Sequence, residues 1–323
     1  MTDRRGVLVL GDANVDLTLH VPVRLPDGGR GPVREPVLGG GGTAANTAVA
    51  LARLGVPVEF VGAVGDDGFG RWIVADLAAS GVGTVGLRVV DVPTCQVIAM
   101  IEPDGERSLV VWPPDGGALV ALRPEDVDPA LVAGAAWLHT TGMCLRHAPV
   151  RDAVLATMAA ARAAGIPVSL DLNLRIELWG LDDERRAAVE AAIALADVVF
   201  GQGDEELVPL MGAQPVARAA GHLALGGPGS RGRTVVARLG ARGALACTRE
   251  GSTVRSRAFR VVAANPVGAG DAFNGGFLAA MVAGRSLSEA LRWGNAVAAL
   301  KVASPGGARD LPDRAAVEAL LAG

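Results

Sequence analysis

The chain predicts an α/β fold: a mostly parallel sheet flanked by helices, carrying a small β-sheet lid. Three observations predict it. Short apolar runs ending in glycine alternate with helical patterns up to about residue 81, and again from about residue 124 onward. Between these stretches, residues 84–112 hold short β-rich runs and no helical pattern. Half of the 323 residues are hydrophobic and 20% are charged, enough for one large core.

The elements follow in order. "VLVLGD" (7–12) is a short apolar run closed by Gly11, a buried strand, and "DLTLHVPV" (16–23) is β-rich. "TAANTAVALARLG" (43–55) predicts a helix stopped at Gly55, "VEFVGAVG" (58–65) a strand, and "FGRWIVADLAASG" (69–81) a second helix closed by glycine. The runs in 84–112, with a turn signal at Asp104-Gly105, are expected to join 16–23 in a separate small sheet. Strands are then expected in "AAWLHTTG", "IPVSLDLN", "DVVFG", "GRTVVARLG" and "GALACTR". Helices are expected in "APVRDAVLATMAAARAAG", "ERRAAVEAAIALA", "GDAFNGGFLAAMVAG", "LSEALRWGNAVAALKVA" and "LPDRAAVEALLAG". "ALGGPGSRGRT" (224–234) reads as a surface loop.

Composition removes several function classes. Net charge is −4 with no basic stripe, and tyrosine is absent, which argues against nucleic acid as a partner. The single lysine, Lys301, leaves no Walker loop. Cys95, Cys144 and Cys247 are odd in number and scattered, showing neither a disulfide framework nor metal spacing. With an N-terminus that lacks a signal-peptide core and apolar stretches too short or broken to span a bilayer, a cytoplasmic protein without membrane contact is expected.

Three stretches carry candidate chemistry. "NPVGAGDAFNGGF" (265–277) places Gly268 and Gly270 before a helix, so that free N–H groups there form an anion site. Asp271 sits in the first turn; it either stabilises that helix end or accepts a proton from a hydroxyl attacking a phosphoryl group. "LGGGGTAANTAVALARLG" (38–55) is glycine-rich ahead of a helix, with Asn46 in its first turn as a ligand contact or a cap. "GDANVDL" (11–17) sets Asp12, Asn14 and Asp16 on one face of an extended stretch, suited to a polyhydroxylated ligand or to a solvated edge turn.

In this order the pieces resemble the ribokinase-like (PfkB) carbohydrate kinase family. The family's late D-T-x-G-A-G-D signature stands here as "NPVGAGD", and its early Gly-Gly run with asparagine as "GGGGTAAN". "SLDLNLRIELW" (169–179) and "VARLGARGAL" (236–245) look like further family segments. The resemblance covers nearly the whole chain. It implies a single ribokinase-like domain over 1–323 with a Rossmann-like sheet, and lid segments at about 16–38 and 84–114. It also implies ATP-dependent phosphorylation of a primary hydroxyl of a sugar or sugar acid, with Mg²⁺. The acceptor type is that of a ribokinase, fructokinase or 2-keto-3-deoxygluconate kinase. A nucleoside kinase of the same fold and a non-catalytic sugar-binding regulator are the alternatives.

Carried over by position, Asp271 looks like the catalytic base, and Gly268, Ala269 and Gly270 like the anion hole. Asn14, Asp16, Gly42, Thr43 and Asn46 match sugar-contacting positions. Arg238, Gly240 and Gly243 fall in the nucleotide loop, Asn295 near the adenine, and Glu206 at the glutamate that organises Mg²⁺ through water. Trp112 caps the sugar or packs the lid; Arg175 braces a phosphate, meets a substrate carboxylate or forms a surface ion pair. The chain departs from the family at Asn265 and Pro266, which leaves a monovalent cation open, at Gly203, and at Thr43, where ribokinases carry lysine. A homodimer joined through the outer face of the lid is expected.

Overall fold

The computed structural model describes residues 6–20, 36–102, 107–212, 214–226 and 232–323. The expected turn at Asp104-Gly105, the stretch 21–35 of the first lid segment, and 227–231 of the loop at 224–234 lie outside the described residues.

β1 (Val7–Leu10) shows why the sequence builds a sandwiched sheet. All four of its residues are buried. Val7 and Val9 face one hydrophobic cluster, while Leu8 and Leu10 face the other, as period-two alternation requires. In chain order follow β2 (Asn14–His20), β3 (Val37–Gly41), β4 (Val58–Gly65), β5 (Leu87–Val90), β6 (Gln96–Ile101) and β7 (Arg107–Trp112). Then come β8 (Trp137–Thr141), β9 (Val168–Asp171), β10 (Val198–Gln202), β11 (Thr234–Arg238), β12 (Ala244–Cys247) and β13 (Thr253–Ser256).

Nine of these form one sheet in the order β13-β12-β11-β10-β9-β8-β1-β4-β5. Its pairs from β5 to β11 are parallel, and β12 and β13 add antiparallel strands at one edge. Helices Thr43–Arg53, Ala269–Val282 and Leu287–Ala303 cover one face; Val150–Ala163, Asp183–Leu195 and Val216–Leu225 cover the other. Phe200 of β10 meets Phe277 edge-on at 5.1 Å, pinning helix Ala269–Val282 to the sheet. Gly275 lets that helix approach Thr43–Arg53, since a Cβ there would strike Ala50.

The remaining four strands form a separate sheet in the order β3-β2-β6-β7. One expectation is corrected here. "LRVV" (87–90), assigned by its β-rich sequence to the small sheet, pairs with β4 as the edge of the large one. Its middle residues Arg88 and Val89 are exposed and its ends half-buried, as on an edge strand, and such a run would suit the rim of either sheet. The glycine run ahead of the first helix closes strand β3, which pairs antiparallel with β2 from Asn14↔Gly41 to Thr18↔Val37. Sequence reading also passed over helix Val216–Leu225 and strand β13.

β1 lies between β4 and β8, and the chain leaves it in one direction before returning on its other side. The carboxyl ends around such a reversal are where a doubly wound sheet opens a crevice. Segments following β8 to β11 bring Thr141, Asn173, Arg175, Glu206 and Gly240 to that edge.

Candidate active site

The helix Ala269–Val282 starts from Gly268, whose φ of 81° only glycine adopts without strain. A Cβ there would also meet the Ala308 carbonyl at 2.9 Å. The Ala269 N–H is taken by the Pro266 carbonyl at 3.1 Å, so the expected anion hole loses that amide. The N–H groups of Gly268 and Gly270 make no hydrogen bond among the described residues and line the cleft. Asp271 follows in the first turn, buried, its Oδ2 accepting from Asn46 Nδ2 at 2.9 Å. Burial pushes its carboxyl up to about 8; the Asn46 amide opposes this rise and the nearby Asp171 charge adds to it.

Beneath the helix start lies a buried ion pair. Arg238 grips Asp171 with two parallel bonds of 2.8 and 2.7 Å. Asn274 Nδ2 donates to Asp171 at 2.7 Å, and Arg238 also reaches the Gly270 carbonyl at 3.3 Å. Burial disfavours both charges, yet each holds the other ionised: the Asp171 carboxyl is lowered and the Arg238 guanidinium raised from their usual ranges. The pair ties β9 and β11 to the anion site.

At the small-sheet end, Asp12 follows β1 and caps helix Thr43–Arg53 from outside. It accepts from the Thr43 N–H at 2.6 Å, the Thr43 hydroxyl at 2.9 Å and the Ala44 N–H at 3.1 Å. Asp16 accepts from Asn14 Nδ2 at 2.6 Å and faces the cleft; burial raises its carboxyl. The cleft, about 1810 Å³, runs from Asp16, Leu38 and Gly40 past Asp271 to Gly240, Gly243 and Asn295, large enough for two ligands end to end.

A buried carboxylate beside free amides in a long cleft is what phosphoryl transfer to a hydroxyl needs. A family model described as pfkB family carbohydrate kinase matches residues 4–314. The chain belongs to that family. It is 34% identical over 278 residues to a fructokinase of Klebsiella pneumoniae, covering 86% of this chain and 84% of that protein. It is 34% identical over 314 residues to the aminoimidazole riboside kinase of Salmonella typhimurium, covering 95% and 92%. Its structure matches that of Arabidopsis thaliana ribokinase complexed with ribose and ATP, with a TM-score of 0.83, 26% identity and coverage of 98% and 99%. The protein is thus an ATP-dependent sugar kinase of the pfkB type.

Within this kinase, several expected contacts are placed differently. The Thr43 hydroxyl turns inward to Asp12 and lies 3.0 Å from the Thr141 hydroxyl, so it does not face the cleft. Gly42, at φ 96°, is the helix N-cap and its carbonyl accepts from the Asn46 N–H at 2.8 Å. Trp112 is 46% exposed on β7 and lies outside the cleft lining. The Arg238 guanidinium is committed to Asp171; only its Nε–H lacks a partner, so its main contact is with the enzyme itself. Glu206 accepts the Leu174 and Gln202 N–H groups, each at 2.6 Å, which fixes the turns after β9 and β10. Burial and the Asp171 charge raise its carboxyl. No cluster of three metal-ligating side chains occurs among the described residues.

Asn295 and Arg175 both line the cleft. The Asn295 amide donates to the Ser256 and Arg257 carbonyls at 3.2 and 3.3 Å. Arg175 has a φ of 47°. His139 is buried against Ser169 at 2.8 Å, and burial lowers it to about 4; the Cys144 thiol is buried and pushed well up. Both are structural.

Sequence reading missed Asp171, Asp76 and Arg309. Asp171 lay inside the quoted "SLDLN", and its position at the end of a buried strand was the available signal. Arg309, in an irregular segment near the C-terminus, had none.

Proposed function

We propose that this kinase transfers the γ-phosphoryl group of ATP to a primary hydroxyl of a neutral sugar, with Asp271 as the general base. The observation that carries this is the placement of Asp271: a buried carboxylate one residue from the free Gly270 amide, facing a cleft of two-ligand size. The hydroxyl oxygen forms a bond to the γ-phosphorus while its proton passes to Asp271. The bond from that phosphorus to the β–γ bridging oxygen breaks, and the electron pair leaves with ADP. The Gly268 and Gly270 amides meet the charge on the transferring oxygens.

A neutral acceptor fits the acid-rich sugar end. Asp12, Asp16 and Asp76 gather there, and the guanidinium nearest them, Arg309, is already paired with Asp76. Among the described residues, an acidic or phosphorylated sugar would meet that field with the nearby guanidinium already paired. ATP would lie along Gly240, Gly243 and Asn295. Magnesium fits the donor set as an ion held mostly by water and phosphate: Glu205 and Glu206 line the cleft, and each Glu206 oxygen keeps a lone pair beyond its amide partner. Bound there, it would neutralise phosphate charge.

Three further readings belong with this one. A cytoplasmic location is supported by buried free cysteines and by the absence, among described residues, of a helix long and apolar enough to cross a membrane. A homodimer through the small sheet is supported by exposed Val37, Leu109, Val110 and Trp112. Independence from potassium is supported by the Lys301 ammonium, fully buried, donating to the Asn265 carbonyl at 3.3 Å. A thermal-shift screen of sugars, sugar acids and nucleosides, with and without ATP–Mg²⁺, tests the function. A neutral sugar should raise the melting temperature most. A larger rise with a sugar acid or nucleoside would displace this reading.

A further inference from the structure

Arg309 is one of the most deeply engaged cations in the described structure. It stands in an irregular segment between helices Leu287–Ala303 and Arg314–Ala322, 9% exposed at its side chain. Its Nη1 pairs with Asp76 of helix Gly68–Ala79. Its Nη2 donates to the Gly41 carbonyl at the end of β3, at 2.8 Å, and its Nε donates to Asn46 Oδ1 at 3.3 Å. Gly40 leaves room for the guanidinium, which a Cβ there would displace.

The Nε contact has a chemical consequence. An asparagine amide presents a donor on one side and an acceptor on the other, and can turn over. Arginine has donors only. With Arg309 against its oxygen, Asn46 must turn its NH₂ toward Asp271, where Nδ2 donates to Oδ2 at 2.9 Å. The inverted amide would set NH₂ against guanidinium N–H and present its oxygen to Asp271, which only a protonated carboxyl can satisfy. Arg309 therefore discriminates between the two protonation states of Asp271 without touching it.

We infer that Arg309 is a positioning residue for catalysis: by fixing which way the Asn46 amide faces, it favours the ionised form of Asp271, the form that can take a proton. This rests on the reading of Asp271 as the base. The groups around Asp271 give the sign. Burial and the charges of Asp171 and Asp12 raise its carboxyl, while Asn46 and Arg238 lower it. Losing the oriented amide removes the strongest of the lowering contacts, so the carboxyl rises further.

The test is kcat/KM against pH for the wild type, Arg309→Met and Arg309→Lys. In Arg309→Met the acid limb should move up by about one unit, so that activity is down about tenfold at pH 7 and approaches wild type near pH 10. Arg309→Lys, also donor-only, should return the limb toward its wild-type position. A uniform loss at every pH with the limb unmoved would overturn the inference and leave Arg309 a fold-holding residue. The wild type supplies a check that needs no variant: the side-chain amide signal of Asn46 in NMR should titrate with the midpoint of the acid limb. An Asn46 signal indifferent to pH would also overturn it. Failure of the parent reading looks different, because Asp271→Asn would then stay active.

Discussion

Asn46 Nδ2 lies 2.9 Å from Asp271 Oδ2, joining two residues 225 positions apart at the starts of two neighbouring helices. One buried polar contact thus couples the sugar end of the cleft to the anion site. It also bears on stability, because Asp271 is a carboxyl whose folded-state value, about 8, lies above that of an unfolded aspartate.

The sign of that linkage follows. The fold favours protonated Asp271, so its contribution is fully present below about pH 4 and is lost as pH rises through about 8. Asp271→Asn removes the titration. Without ligands, the variant's stability relative to wild type should grow between these limits by a few kcal/mol and then level off. Denaturant unfolding across pH 4 to 9 measures it; a constant difference would mean that Asp271 is not shifted upward.

The Asp171–Arg238 pair makes a second expectation. Both side chains are buried, and removing one leaves the other uncompensated. Asp171→Asn and Arg238→Met should each destabilise by about 3–5 kcal/mol, and the double variant by less than the sum. Additive losses in a double-mutant cycle would mean that the two contribute separately.

Much of this was legible beforehand, for a physical reason. "VLVL" is buried on both faces and reads as an unbroken apolar run, "VEFVGAVG" is interrupted only at Glu59, and the Asp271 helix announces itself through the glycines it needs. What escaped notice depends on partners distant in sequence. Thr43 and Arg238 are residue types that suit ligands, and only the fold shows that Asp12 and Asp171 claim them. "LRVV" has the same pattern on either sheet, and Arg309 contacts Asp76, Gly41 and Asn46 across intervals no local pattern records.

Potassium should matter little. Asn265 donates to the Gly306 carbonyl at 2.9 Å and accepts from the Val267 N–H at 3.1 Å, while Lys301 already brings positive charge to its carbonyl. Turnover in potassium and in a bulky organic cation should match closely. A strong stimulation by potassium would show a working cation site at this loop.

The small sheet should carry the subunit contact. Polar substitution at Val110 and Trp112, both exposed on β7, is expected to turn a dimer into a monomer by light scattering. An unchanged mass for the double variant, or a monomeric wild type at micromolar concentration, would place no interface there.

The central claim is that the Asp271 carboxylate takes the proton from the sugar hydroxyl. Single-turnover phosphoryl transfer by Asp271→Asn, with nucleotide affinity measured alongside, tests it most directly. The amide keeps the shape and the contact surface but cannot accept the proton, so the rate should fall by about 10²–10⁴ while ATP binds nearly as before. Transfer at close to the wild-type rate, with ATP binding intact, would contradict the account.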